Sequence, residues 1–190
     1  MKRSEQDIRF QWDLTKFFPD EAAWEAAMQQ AEAAIDGLKD IPGTLGTSKE
    51  AFKAGLDAVF AAAQKAEIPC VYAFLKKTED GSEAKNQEMQ ARGESLSVKL
   101  DAALSFLSPE ILAIPAEKLT AWMADDALAT YRHTVDDIVR TRAHTLSAER
   151  EQMLALLGDA SSMPKAAYEM LTDVDLRFPT VKNDAGEDVQ

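Results

Sequence analysis

Residues 89–107 read MQARGESLSVKLDAALSFL. Within them Met89, Gly93, Leu96, Leu100, Ala103 and Leu107 recur at spacings of 4, 3, 4, 3 and 4. An α-helix turns once every ~3.6 residues, so these positions share one stripe. A half-buried strand would instead alternate at every second residue. Gly93 on that stripe admits a second backbone at close range, at a cost of ~1 kcal/mol in helix propensity.

The same period extends upstream. Trp24, Met28, Ala31, Ile35 and Leu38 follow at 4, 3, 4 and 3, after the start signal Phe18-Pro19-Asp20-Glu21 and before Gly37 and Pro42-Gly43. Thr47-Ser48-Lys49-Glu50 reads as a capping box ahead of Phe52, Leu56, Val59, Phe60 and Ala63. Pro69 then interrupts, yet Val71, Tyr72, Phe74 and Leu75 continue the apolar content. One kinked helix and two helices meeting at Pro69 both fit. Asp80-Gly81-Ser82 is expected to break the chain and cap the next helix.

Downstream, Ser108-Pro109-Glu110 and Pro115 open two short helices, the second through Leu119, Trp122 and Met123. Leu128, Tyr131, Val135 and Ile138 predict a longer helix. Thr145 to Glu149 caps one carrying Met153, Leu154, Leu156 and Leu157, closed by Gly158. Ser161 to Leu171 is the last, with Pro164 expected only in its first turn. The fold class is therefore mainly α, an elongated antiparallel helical bundle with a short β-hairpin beginning at its C-terminal end. The hairpin rests on the alternating stretch Asp175 to Lys182, the turn signal Asn183-Asp184-Ala185-Gly186 and a return strand from Glu187 to Gln190. Four residues are too few to stabilise a hairpin alone, so the sequence reads as though a larger body follows.

Composition narrows the function. The chain has 190 residues, 33 acidic and 21 Lys or Arg, for a net charge of −12. That balance argues against unspecific nucleic-acid binding, which needs a cationic surface, and against an anionic membrane surface. No apolar run approaches ~20 residues, so no membrane span is expected. Cys70 is the one cysteine, which excludes an internal disulfide and points to a cytoplasmic protein with a buried, inert thiol. A chain this long buries about 70% of its unfolded surface, leaving an expected native surface of roughly 9,000 Å².

Few residues could carry chemistry. His133 and His144 are the two histidines, 11 apart, and each has a nearby cation, Arg132 and Arg142. On one helix they would lie ~16 Å apart along the axis, too far to chelate one metal. Asp125-Asp126 and Asp136-Asp137 are adjacent pairs, and neighbours on a helix diverge by ~100°, so solvated faces suit them better than a shared ligand. There is no His-Glu-x-x-His, no phosphate loop, no Gly-x-Ser-x-Gly elbow and no Cys-x-x-Cys. The expectation is therefore no catalytic, cofactor-binding or metal-binding residue in this chain. Trp24, Met28, Phe52, Phe60, Met89 and Phe106 read as core before they read as a peptide groove. Trp12 is expected to anchor the N-terminal arm.

Several segments, taken in order, resemble the N-terminal region of the oligoendopeptidase F family, relatives of thimet oligopeptidase. They are Trp12 to Phe18, Tyr131-Arg132-His133, Arg142 to Ser147 and Asp175 to Lys182. The resemblance implies a helical N-terminal domain over 1–174, with an arm over 1–19. Residues 175–190 would then start a hairpin leading toward a catalytic domain absent from this sequence. It implies a zinc-dependent cytoplasmic peptidase as the whole protein, its zinc held elsewhere by a His-Glu-x-x-His helix and a downstream Glu. The implied partners are that C-terminal catalytic domain and oligopeptide substrates. This domain's implied role is one wall of a channel that excludes folded proteins. A standalone helical adaptor without enzymatic activity is the alternative. A weak homodimer of the 190-residue chain is a further expectation, because a domain cut from a larger body exposes apolar surface.

Overall fold

A computed structural model describes residues 7–10, 12–141, 146, 148–177 and 179–189. Among them are eight α-helices: α1 (Glu21–Asp36), α2 (Lys49–Glu79), α3 (Ala84–Leu104), α4 (Leu107–Ala113), α5 (Ala116–Met123), α6 (Arg132–Arg140), α7 (Ala148–Leu156) and α8 (Gly158–Glu169). Strands β1 (Val181–Lys182) and β2 (Asp188–Val189) form the hairpin, in antiparallel register Val181 to Val189.

The long helices α1, α2 and α3 make the body. Asp20 caps α1 by accepting from Ala23 N at 2.8 Å, and Ser48 caps α2 by accepting from Ala51 N at 3.0 Å. The expected capping box is thus half present. Its reciprocal acid belongs at the third helical position, which Ala51 holds, while Glu50 sits at the second. Lys85 pairs with Glu21 and Lys99 with Asp36, so α3 runs parallel to α1. Trp24, early in α1, meets Pro69, late in α2, so those two are antiparallel.

The question left by Pro69 resolves in favour of one helix, since α2 passes through it without a break. Proline supplies no N–H to the ladder. Its own carbonyl instead accepts from the Trp24 indole Nε1 at 2.9 Å. At ~1.5 Å per residue, α2's 31 residues span ~46 Å and carry two cores in series. One gathers Phe52, Leu56, Val59, Ile111, Leu128 and Val135. The other gathers Trp24, Met28, Ala66, Tyr72, Met89 and Leu96. By length and composition α2 could cross a membrane, contrary to expectation. On its inner side Phe52 and Leu56 are fully buried and Val59 and Ala62 nearly so, whereas Ile68, Val71 and Phe74 are exposed.

Other expectations shift in detail. Asp80-Gly81-Ser82 breaks the chain, but Glu83 occupies the cap of α3 with no side-chain bond, while Asp80 accepts from Ser82 N at 3.0 Å. The Met89 stripe ends in α3 at Leu104, and Leu107 opens α4. The longer helix expected over Leu128 to Ile138 is a 3₁₀ turn (Asp126–Tyr131) followed by α6. Gly158 opens α8 rather than closing α7, and Pro164 lies in the interior of α8, not its first turn. The first strand is shorter than predicted, Val181–Lys182: a π-helical turn, Met170–Asp175, takes Asp175, and Leu176, Arg177, Pro179 and Thr180 are irregular. Trp12 is 69% exposed, and the arm's burial comes from Leu14 and from Phe18, edge-on to Tyr72 at 5.2 Å. Thr145 and Ser147, expected caps of α7, lie outside the described residues.

Candidate functional site

The candidate chemical groups do not converge. His133 projects from α6 with 90% of its side chain exposed, and its Nε2 lies 3.5 Å from Asp137 Oδ2 one turn on. His144 lies outside the described residues. Asp137 also accepts from Arg140 at 2.7 Å, while Asp136 points elsewhere, toward a shallow cleft between α5 and α6. Asp125 binds Lys49 and caps the 3₁₀ turn by accepting from Ala127 N at 2.9 Å. Those bonds, the Lys49 contact first, hold its carboxyl below the usual carboxylate range. Asp126 instead faces Arg132, whose Nε donates to the Met123 carbonyl ending α5. Asp125 and Asp126 thus take different partners, and Asp136 and Asp137, neighbours on α6, point in different directions.

Cys70 is half-buried. Its Sγ donates to the Gly93 carbonyl at 3.3 Å and accepts from Ser97 Oγ at 3.5 Å. Burial pushes its thiol pKa up, which suits a structural rather than a nucleophilic cysteine. A Cβ added at Gly93 would sit 3.3 Å from Ala73 Cβ and 3.5 Å from Cys70 Cα, so the glycine on the α3 stripe does allow close approach. Among the described residues no three His, Cys, Asp or Glu side chains come together to hold one cation.

Polar ties inside the body are specific. Tyr131 Oη donates to Asp57, and that bond, with burial second, pushes the phenol up to about 12. Arg92 forms a two-pronged pair with Glu25 and lies 4.7 Å over the Trp24 ring. Three clefts accompany this framework. A cavity of about 870 Å³ lies where α1 ends beside α3 and α7, walled by Ile35, Leu38 and Phe106 and crossed by the Lys99–Asp36 pair at 2.8 Å. A groove of about 400 Å³ runs between α2, α3 and α8, past Cys70, Gly93 and Ser97. Gln90 lines it, with an Oε1 that accepts no bond among the described residues while Nε2 donates to Glu94 at 2.7 Å. The third, about 810 Å³, opens where α2 ends near the π-helical turn. In the third, Ser82 Oγ donates to Asp80 Oδ1 at 2.6 Å, a tie within the turn between α2 and α3.

The functional feature that the sequence reading missed is a surface. Among the described residues none from 146 onward is buried, and Met153, Leu156, Met163, Tyr168 and Leu171 are each 58–67% exposed. The signal was present as apolar spacing in α7 and α8. Nothing in one sequence says whether such a stripe faces inward or outward.

Comparison with known proteins follows this framework. The family profile described as Oligopeptidase F matches residues 110–178. The plasmid oligoendopeptidase F of Lactococcus lactis subsp. cremoris is 30% identical over 190 residues, covering 99% of this chain and 32% of that protein. Group B oligopeptidase PepB of Streptococcus agalactiae is 30% identical over 189 residues, covering 99% and 31%. The crystal structure of oligoendopeptidase-F from Enterococcus faecium superimposes with a TM-score of 0.80 at 30% identity, covering 88% of this chain and 32% of that one. Fold and sequence agree that the chain is a helical unit similar to about a third of an oligoendopeptidase F. Along nearly its whole length the chain is similar to oligoendopeptidase F proteins, and it spans about a third of the length of the curated relatives it matches.

Proposed function

We propose that this chain is the non-catalytic N-terminal domain of a cytoplasmic, zinc-dependent oligopeptidase that hydrolyses short peptides. It forms one wall of the substrate channel and restricts entry to flexible oligopeptides. The observation that carries the reading is the match along 99% of this chain to oligoendopeptidase F, of which it covers only 32%. Two facts support placing the chemistry elsewhere. The sequence has no His-Glu-x-x-His, and the exposed His133 lies 3.5 Å from Asp137. Among the described residues no three ligands meet at one point, as a catalytic zinc would need. Bound in the rest of such a protein, zinc would polarise the scissile carbonyl and activate water. The rigid α1–α2–α3 body supplies a wall that needs no side chain to react.

A peptidase assay on the purified 190-residue chain, with and without added zinc, tests this. The expected result is no turnover in either. Zinc-dependent turnover that survives further purification would overturn it.

A further inference from the structure

Helix α8 sits the reverse way round for a surface helix, which normally turns its apolar stripe to the core. Ser162, Lys165, Ala166 and Glu169 face the groove over α2 and α3, and Lys77 donates to Glu169 at 2.8 Å. The opposite stripe, Ala160, Met163, Ala167, Tyr168 and Leu171, repeats at helical spacing and is exposed along its length. Helix α7 follows suit. Small Gly158, at its junction with α8, meets α3, where an added Cβ would lie 3.1 Å from Val98 Cγ2, while Met153, Leu154 and Leu156 point out.

The bare area is large. Seven side chains (Met153, Leu154, Leu156, Leu157, Met163, Tyr168 and Leu171), each half to two-thirds exposed, offer roughly 700–800 Å² of apolar surface. The largest patch on a typical monomer is about 300–600 Å², whereas one side of a stable interface is about 800 Å². The Oligopeptidase F profile, over 110–178, takes in both helices although no described side chain in them is buried here. Relatives about three times as long bring the chain length that could cover them.

We propose that the outward stripe of α7 and α8 is the docking face for the remaining two thirds of an oligoendopeptidase F-length polypeptide. This rests on the domain reading above and names the face through which the domain joins the rest. The stripe itself carries no charge, so burying it strands no ion.

The test is maleimide labelling of Met163→Cys in a Cys70→Ala background. Rates are compared between the 190-residue chain and the longer polypeptide translated when the reading frame continues past Gln190. Labelling should be fast in the short chain and at least ~30-fold slower in the long one. The pair Met163→Glu with Leu171→Glu should leave the short chain's melting temperature within ~2 °C, because neither residue packs in it. Equal labelling in both polypeptides overturns the proposal. So does slow labelling in the dilute short chain, which would place the stripe inside its own core. Labelling that slows only as the short chain is concentrated assigns the face to a second copy and also overturns it. A reading frame that closes at Gln190 removes the domain reading itself, and does so before any labelling begins.

Discussion

Residues 14–135 and residues 146–189 obey opposite rules. The first region holds every described buried hydrophobic residue, from Leu14 to Val135, with Trp24, Phe52 and Leu56 fully enclosed. The second has comparable apolar spacing and encloses none of it. The first keeps its charges at the rim, as in Glu25 with Arg92, and most of its apolar side chains inward, with Ile68, Val71 and Phe74 the exceptions on α2. The second ties itself down by a charge, Lys77 with Glu169, and turns its stripe outward. Periodicity alone therefore identifies a helix, whereas burial decides whether that helix completes a core or awaits a neighbour.

The largest effect that could break this contrast is at Trp24. Trp24→Ala should cost ~3–5 kcal/mol by denaturant unfolding, since it opens a cavity and takes the indole donor from the Pro69 carbonyl. Tyr168→Ala, an equally bold truncation in the second region, should stay within ~0.5 kcal/mol. A cost above ~2 kcal/mol at Tyr168 would end the distinction.

Overpacking comes next. A Cβ at Gly55 would fall 2.3 Å from Leu45 Cδ2, a fully buried side chain with little room to move. Gly55→Ala should therefore cost ~1–3 kcal/mol. At Gly158 the nearest atom is Val98 Cγ2 at 3.1 Å, beside an open groove, so Gly158→Ala should cost less than ~1 kcal/mol. Thermal melts of the two variants make the comparison.

Smaller again is the phenol. Tyr131→Phe should remove ~1 kcal/mol with its bond to Asp57. The native phenol titrates at about 12, above the ~10 of an unfolded tyrosine. Its extra stability is complete below pH ~10 and fades as pH rises toward about 12, because the unfolded state loses its proton first. Unfolding measured across that window should decline more steeply in the wild type than in Tyr131→Phe.

The smallest effect is at the rim. Arg92 holds the Glu25 carboxyl below its usual range, so this pair stabilises above the unfolded carboxylate pKa and is lost as pH falls through the lower native one. Both side chains are at least a third exposed, and solvent screens them. Arg92→Gln should change stability at pH 7 by no more than ~1 kcal/mol and flatten its acid limb, as a urea series at pH 3 to 7 would record.

Much of the body was legible because its stripes are long and end in strong signals. Asp20, Ser48 and Gly93 do in the structure what their residue types suggest. Pro69 was ambiguous because a proline removes one bond from the helix ladder, and sequence alone does not show that α2 carries on through it. Pro164 was misplaced because α8 starts three residues earlier than Ser161. The divergence of Asp136 from Asp137 on α6 was readable from helix geometry, whereas Asp125 leaves Asp126 because it is the extended cap of a 3₁₀ turn. The outward stripe was not, since inward and outward helices share one spacing.

Native-state hydrogen exchange on the 190-residue chain tests the two-region account most directly. The account predicts that amides in the middle of α2 and α3 exchange only through global unfolding, while those of α8 exchange through local opening several kcal/mol cheaper. Protection of α8 equal to that of α2 would contradict it, because a helix that stable would already belong to the core.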